Sequence, residues 1–263
     1  MDSGISGAVA AAGVGIFMAL MAKFVPYRPN PGQVSRLSLE ELAKQYRKWE
    51  LAALFPFFIF ATLSTLLWWL LLRNLGGLVL SGLPESKFLL ATPDAAWFLP
   101  AIFLGIVTAA LPMHLLYSRL LGERYAEYNH YTNLRTGFDG FRIFRWMAII
   151  LVPLCLLAAL IGLDWYTRVL DDRLIDNSPL SIGETEHRYA DIAEIRAVAT
   201  FRAPNGNIVQ KPYFQVVFND GFTWSTRNIL NSWNADENRE MIEFISRQAD
   251  KPITAYLLAP EQQ

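Results

Sequence analysis

The sequence predicts an all-α membrane protein with four transmembrane helices, carrying a C-terminal α+β domain in water. Three observations predict this class. Four runs, residues 4–22, 51–72, 97–117 and 146–165, each have the length and apolarity that a ~30 Å hydrocarbon core requires at 1.5 Å rise per residue. The chain is 53% hydrophobic with a mean hydropathy of +0.23, yet 18% of it is charged, so its charges must be segregated. After Tyr166 the long apolar runs give way to short alternating ones bounded by turn residues. The boundary therefore falls between a transmembrane domain, residues 1–166, and an extramembrane domain, residues 167–263.

The first run has no cationic segment ahead of it and reads as a retained span rather than a cleaved signal. Gly7, Ala11 and Gly15 recur every fourth residue, and small residues at that spacing let helix backbones approach closely. A proline-rich stretch with Lys23, Arg28 and Arg36 follows. Ser38 and Glu41 then have the spacing of a capping box, which predicts a helix from Ser38. Leu39, Leu42, Ala43 and Tyr46 share one side of it, which suits a helix lying on the membrane surface before the chain turns into the second run. That run contains Pro56, ends in Trp68 and Trp69, and has no ionisable residue.

Residues 73–96 read as a loop with only Arg73 and Lys87 as cations. The third run contains Pro112, which removes a helical donor and predicts a kink, and His114. Residues 118–145 carry Arg119, Arg124, Arg135, Arg142 and Arg145, with helix-breaking Gly137 and Gly140. In the fourth run Trp146, Trp165 and Tyr166 occupy interfacial positions. Cys155, the single cysteine, sits amid apolar residues and reads as a small packing residue.

Charge orients the chain. The two short segments rich in Lys and Arg, 23–48 and 119–145, are expected in the cytoplasm, and the 73–96 loop on the other side. Four spans then place the N-terminus and the C-terminal domain outside, in the periplasm if the membrane is the inner membrane of a Gram-negative bacterium. Through Tyr166 the chain has 13 basic and 10 acidic residues, and beyond it 10 and 14. Neither part is basic enough for nucleic acid. Membrane lipids are the implied surroundings of the first part.

In the second part Asn205-Gly206 and Asp220-Gly221 are strong hairpin signals, because both tolerate positive φ. Between them Phe214, Val216 and Phe218 alternate with Tyr213, Gln215 and Val217, as in a strand with one buried face. Asn234 and Glu237 repeat the capping-box spacing ahead of Met241, Ile242, Ile245 and Ala249, which predicts an amphipathic helix to about Ala249 that Pro252 stops. The order of these pieces, Arg188-Tyr-Ala-Asp-Ile-Ala-Glu-Ile195 leading into a hairpin, the returning segment with Phe218-Asn-Asp-Gly221 and Trp224, and a closing helix, resembles the bacterial pleckstrin-homology-like domains attached to small membrane proteins. The resemblance covers about 168–251. It implies a PH-like fold without a catalytic site and a domain often facing the cytoplasm, whereas the charge rule places this one outside.

Motifs of catalysis and of nucleotide binding are missing: no HExxH, GxSxG, GxxxxGK[ST], paired CxxC or glycine-rich dinucleotide turn. No cofactor is implied. His114, His130 and His187 show no metal-ligand spacing, and Asp171, Asp172 and Asp176 lack the spacing of a calcium loop and read as a solvated turn. The intramembrane polar candidate is His114, since ionisable groups inside spans are costly, although a neutral imidazole bonded to a neighbouring helix satisfies the same position. Trp224, Trp233 and Tyr213 are the candidate partner-binding residues, Trp being favoured at hot spots, while the phase of Trp224 with Phe222 also suits core packing. The sequence thus favours a non-enzymatic interaction or regulatory protein whose C-terminal domain binds a protein partner. A toxin-immunity protein acting on the outer side is a sharper form of that reading. The contrasting class is a lipid- or solute-handling enzyme or transporter built on His114, Pro112 and Pro153.

Overall fold

The structure, a computed structural model, describes residues 19–29, 37–179, 181, 183–227 and 235–260. Among them three helices are long and apolar enough to cross a membrane: Leu39–Ser81, the continuous helical run Asp94–Thr136, and Gly140–Leu163. The expected count of four is not matched. The first expected span, 4–22, and its Gly7, Ala11, Gly15 stripe fall outside the described residues, apart from 19–22 within a helical stretch at 19–24.

The first long helix, α1 (Leu39–Ser81), begins where the capping box predicts. The Ser38 backbone N–H and hydroxyl both donate to Glu41 Oε2 at 2.8 Å, and the Glu41 N–H returns to Ser38 Oγ at 3.4 Å. A separate surface helix does not form. Nothing between Leu39 and Leu51 breaks a helix, and Pro56 is carried inside, so the chain runs through 43 residues without turning. At 1.5 Å per residue that is about 65 Å, roughly twice the hydrocarbon thickness. Its middle exposes Leu51, Leu54, Phe55, Phe58, Leu63 and Leu67, as a helix facing lipid would.

Helix α2 (Phe98–Leu121) follows a 3-10 turn, Asp94–Trp97, and carries Pro112 inside. Residues 118–145, read as a basic loop, are mostly helical. A 3-10 turn, Gly122–Arg124, leads into α3 (Tyr125–Thr136), which Gly137 ends at φ +79° before α4 (Gly140–Leu163) begins. At the crossing of α1 and α2 the backbones nearly touch. A Cβ built on Gly105 would lie 2.1 Å from Thr65 Oγ1 and 2.6 Å from the Thr65 N, so only glycine fits.

The described chain divides into two compact units, Met1–Leu70 with Leu99–Leu156, and Leu71–Phe98 with Leu157–Gln263. In the first, the start of α1 is not exposed amphipathic surface. Leu42 and Tyr46 are fully buried with Tyr117, Leu121, Tyr128 and Tyr131, and the phenol tips find polar partners: Tyr46 donates to Glu127 at 2.6 Å, Tyr117 to the Trp49 carbonyl at 3.0 Å and Tyr131 to Glu50 at 3.2 Å. Arg135 pairs with the same Glu50. Across the basic segments, Tyr27 N–H donates to the Gly137 carbonyl and Asp139 N–H to the Val25 carbonyl.

The second unit holds two four-stranded sheets. The first has the order β1 (Phe88–Ala91), β2 (Tyr166–Val169), β3 (Arg173–Asn177), β4 (Thr185–Arg188), all antiparallel. Strand β1 lies in the segment read as a plain loop. It is four residues long, below what alternation can signal, and Leu90 completes the domain core from outside the 167–263 segment. The second sheet has the order β7 (Thr223–Ser225), β6 (Ile208–Phe218), β5 (Ile192–Arg202), β8 (Ile253–Leu258). Both expected hairpins form, with Gly206 at φ +83° and Gly221 at φ +88°. Strand β8, absent from the sequence reading, adds in parallel to β5 after helix α5 (Ala235–Ala249). Asn234, the expected cap of α5, lies outside the described residues. Val169, Leu174, Ile195, Val216, Phe218, Met241 and Ile245 pack both sheets against α5 in one core. Strand β6 is covered on its second face too, where Tyr213 packs with Val198 and Ala259.

Pairing of β1 with β2 requires that the chain between α1 and α2 and the chain after α4 lie on one side of any membrane that these helices cross. With cysteine placed singly at the exposed positions 87, 171 and 123, a membrane-impermeant thiol reagent should label Lys87→Cys and Asp171→Cys from the same side and Glu123→Cys only from the other. Labelling of positions 87 and 171 from opposite sides would refute the pairing. Separately, Gly105→Ala should lower the thermal stability of the detergent-solubilised protein by an amount equivalent to about 1–3 kcal/mol. Gly77→Ala, with nothing within 4 Å of the added Cβ, should leave it unchanged or raised by up to ~1 kcal/mol.

Candidate functional site

Each unit contains a cleft that includes one residue singled out from the sequence. In the helical unit a cleft of about 250 Å³ opens between all four helices, and His114 of α2 lines it. Its walls grade along their length. Phe57, Ala110, Met113 and Phe144 make an apolar end, and Asn129 and Asn133 of α3 a polar one. Fold and sequence agree on why: the apolar residues belong to spans, while α3 has a polar composition and caps them.

His114 is held by a hydrogen bond and by two aromatic rings. Its Nδ1 lies 2.8 Å from the Tyr125 hydroxyl, and its ring meets Tyr125 and Phe141 edge to face at 5.2 and 5.3 Å. The Tyr125 oxygen also accepts from the Asn129 amide. The phenolic oxygen has one proton and two acceptor sites, so its bond to Nδ1 fits either tautomer of the imidazole. Asn133 is half used: its Oδ1 accepts from the Gly140 N–H at 3.1 Å. The polar lining of the cleft thus mixes donors and acceptors, with Tyr128 and Thr132 beside His114, Asn129 and Asn133.

In the second unit another cleft, also about 250 Å³, lies between β6 and the start of α5. Tyr213 forms its floor, 5% exposed, and the Arg227 guanidinium sits 5.2 Å above the Tyr213 ring and 4.6 Å above that of Phe201. Such a stacked cation keeps its donors directed outward. Lys211 and Arg239 join Arg227 on the rim, with Asp236 the one acidic residue. Thr226 braces the rim by exchanging two hydrogen bonds with the Phe214 backbone. Composition did not reveal this grouping, because the three cations are scattered through a segment whose net charge is negative.

Trp224 is not at a surface. It is 4% exposed within the core, and its Nε1–H donates to Thr167 Oγ1 at 3.3 Å, which in turn donates to Asp176 Oδ1 at 2.9 Å. This chain links the two sheets. Trp233, the other tryptophan candidate, lies outside the described residues. The acidic residues after α4 are dispersed: Asp176 is turned to Thr167, and Asp172 pairs with Arg173 at 3.0 Å. Arg168, near the end of α4, is buried and bridges to Glu184 at 3.0 Å, which also accepts from the Tyr166 hydroxyl.

His187 of β4, considered in the sequence only for metal-ligand spacing, is tightly enclosed in the second unit. It is 7% exposed, stacks face to face on Phe222 at 3.9 Å, and its Nε2 is buried without a hydrogen-bond partner among the described residues. Burial holds it below the usual histidine range against the opposing pull of Asp220 and Asp176, while burial raises Asp176 above the usual carboxylate range. No family model, curated protein or solved structure matches this chain.

The titration of His187 makes a signed prediction. The unfolded chain takes up a proton near pH 6.5, which the native state resists, so the stability that neutral His187 permits is fully present above ~6.5 and is lost as pH falls below it. The oppositely shifted Asp176 acts only nearer the carboxylate range. The unfolding midpoint of the protein should therefore drop across that window, and His187→Phe, which keeps the stack on Phe222, should flatten the drop. An equal drop in the variant would place the sensitivity elsewhere.

Proposed function

We propose that the chain is a non-enzymatic, membrane-anchored interaction protein whose extramembrane α+β domain, PH-like in kind, binds a protein partner. The observation that carries this reading is the Tyr213 cleft. Three cations gather there around an aromatic floor, in a part of the chain with 10 basic and 14 acidic residues, so the cleft is a local reversal of the domain's charge. An acidic segment of a partner is the complementary ligand, with carboxylates paired to the fixed guanidinium of Arg227 and an apolar side chain set on Tyr213. Arg227 and Tyr213 are of the residue types that dominate interface energetics.

The orientation belongs to the same proposal. With segments 23–48 and 119–145 in the cytoplasm, the sheets and the Tyr213 cleft face the outer side of the membrane, the periplasm in a Gram-negative host. The partner is then a protein of that compartment.

A photo-crosslinking residue at position 211, introduced into the full-length protein in native membranes, should yield a discrete adduct. The charge reversals Arg227→Glu and Arg239→Glu should each weaken it at least tenfold, since a charge-assisted contact contributes about 1.5–3 kcal/mol and ~1.4 kcal/mol is a factor of ten. An adduct that survives both reversals in a protein of unchanged stability would overturn the assignment of the cleft.

A further inference from the structure

We infer that a pocket between β3 and β7, lined by Asp176 and by the rings of Trp165, Phe222 and Trp224, binds a small organic ammonium ion. It is distinct from the His114 and Tyr213 clefts, and the inference rests on neither of them. The pocket encloses about 190 Å³, and all of its residues belong to the second unit. A space of that size takes a headgroup-sized ligand rather than a large one.

Charge sets the sign of the ligand. Asp176 is the one charged residue of the lining; the rest, Ser178, Thr223 and Ser225 with a proline and the three aromatic residues, adds hydroxyls and rings and no cation. The arginines of the same sheet are committed elsewhere, Arg168 to Glu184 at 3.0 Å and Arg173 to Glu186 at 2.7 Å. Among the described residues only Thr167 hydrogen-bonds the Asp176 carboxyl, donating to Oδ1 at 2.9 Å. Burial raises Asp176 above the usual carboxylate range against the pull of Thr167 and His187, as expected of a carboxylate short of a counter-charge.

The aromatic walls choose among cations. A metal ion needs several oxygen ligands, and no group of three His, Cys, Asp or Glu residues that could hold one occurs among the described residues. A guanidinium seeks both oxygens of a carboxylate at once, and Oδ1 already accepts from Thr167. An ammonium needs a single charge contact, which Oδ2 supplies, and sets its carbon substituents against rings, of which indole is the best. Two of the walls are fixed in advance. Trp224 is held by its bond to Thr167 at 3.3 Å, and Phe222 by its face-to-face stack on His187 at 3.9 Å. Two sources offer this chemistry: a free amine or quaternary ammonium in solution, and the headgroup of a zwitterionic lipid, since Trp165 follows the end of α4 by two residues.

The full-length protein in a polyoxyethylene detergent, titrated with choline chloride in a calorimeter against a sodium chloride control, should bind one equivalent saturably in the millimolar range or below. Asp176→Asn, which keeps an acceptor for Thr167, should weaken binding at least tenfold at unchanged thermal stability. Trp165→Ala should weaken it several-fold, and Asp171→Asn, outside the pocket, should leave it unchanged. Nanodiscs separate the sources: with a lipid headgroup as the ligand, choline binding is lost in phosphatidylcholine discs and kept in phosphatidylglycerol discs, and with a free ligand it is kept in both. Absence of saturable choline binding in detergent, binding of an uncharged sugar in its place, or equal affinity in Asp176→Asn would each overturn the inference. Should Asp176→Asn lose stability, Trp165→Ala decides in its place, because that residue is only half-buried, and an affinity unchanged there would overturn the inference as well.

Discussion

Four residue pairs constrain the rest of the molecule. Phe88 opposite Val169, Leu89 opposite Arg168, Leu90 opposite Thr167 and Ala91 opposite Tyr166 tie the segment between α1 and α2 to the segment after α4. An even number of crossings must separate two strands of one sheet, so a membrane crossed by α2 must be crossed back by α4. The same pairing completes the backbone hydrogen bonds of a short segment close to helix ends, where unpaired peptide groups would be costly. Trp97 reinforces it. The ring is 4% exposed, and a Cβ on Gly162 or Gly76 would come within 3.0 or 3.2 Å of it, so glycines on α4 and α1 make the slot that holds the indole. Thr92 adds a hydrogen bond to the Gly162 carbonyl at 2.7 Å.

At the other end of the helices the problem is excess length. Helix α1 is about 35 Å longer than a hydrocarbon core, and that excess must be covered by something other than lipid. Tyrosine does this because one side chain supplies both a large apolar ring and a polar tip. The rings of Tyr46, Tyr117, Tyr128 and Tyr131 bury one another, with Tyr117 and Tyr128 stacked at 5.5 Å, while their partners Glu127, Glu50 and the Trp49 carbonyl take the hydroxyl protons where a partner is recorded. Pairing of Glu50 with Arg135 then offsets one cation of the basic segment.

What was legible in the sequence was what rests on local rules. The Ser38–Glu41 cap, both glycine hairpins, the apolar face of α5 and the helix break at Gly137 each follow from residues within a few positions of one another, and each appears. What was not legible rests on distant partners. Strand β1 carries no alternation of its own and is a strand only because β2 is there; β8 likewise depends on β5. The length of α1 was missed because amphipathicity at Leu39–Tyr46 was assigned to a lipid surface, when the same periodicity serves equally to face another helix. At the sites, His114 could be singled out as a polar residue in an apolar run, and Tyr213 as an aromatic out of phase with a core strand. The rest of each cleft could not: Asn133 and Arg227 acquire their places from helices and strands remote in sequence.

Cations around Tyr213 stand in water and salt, where charge alone is screened within about 8–10 Å and isolated ion pairs contribute little. Order there comes from geometry: the Arg227 guanidinium sits 4.6 Å from the Phe201 ring and 5.2 Å from that of Tyr213, and Thr226 ties the neighbouring backbone to Phe214. A lysine at that position would keep the charge and lose the orientation. The polar chain from Trp224 through Thr167 to Asp176 completes this rigidity from the core side, since it couples the sheet that carries Tyr213 to the sheet that is tied, through β1 and β2, to the helix ends.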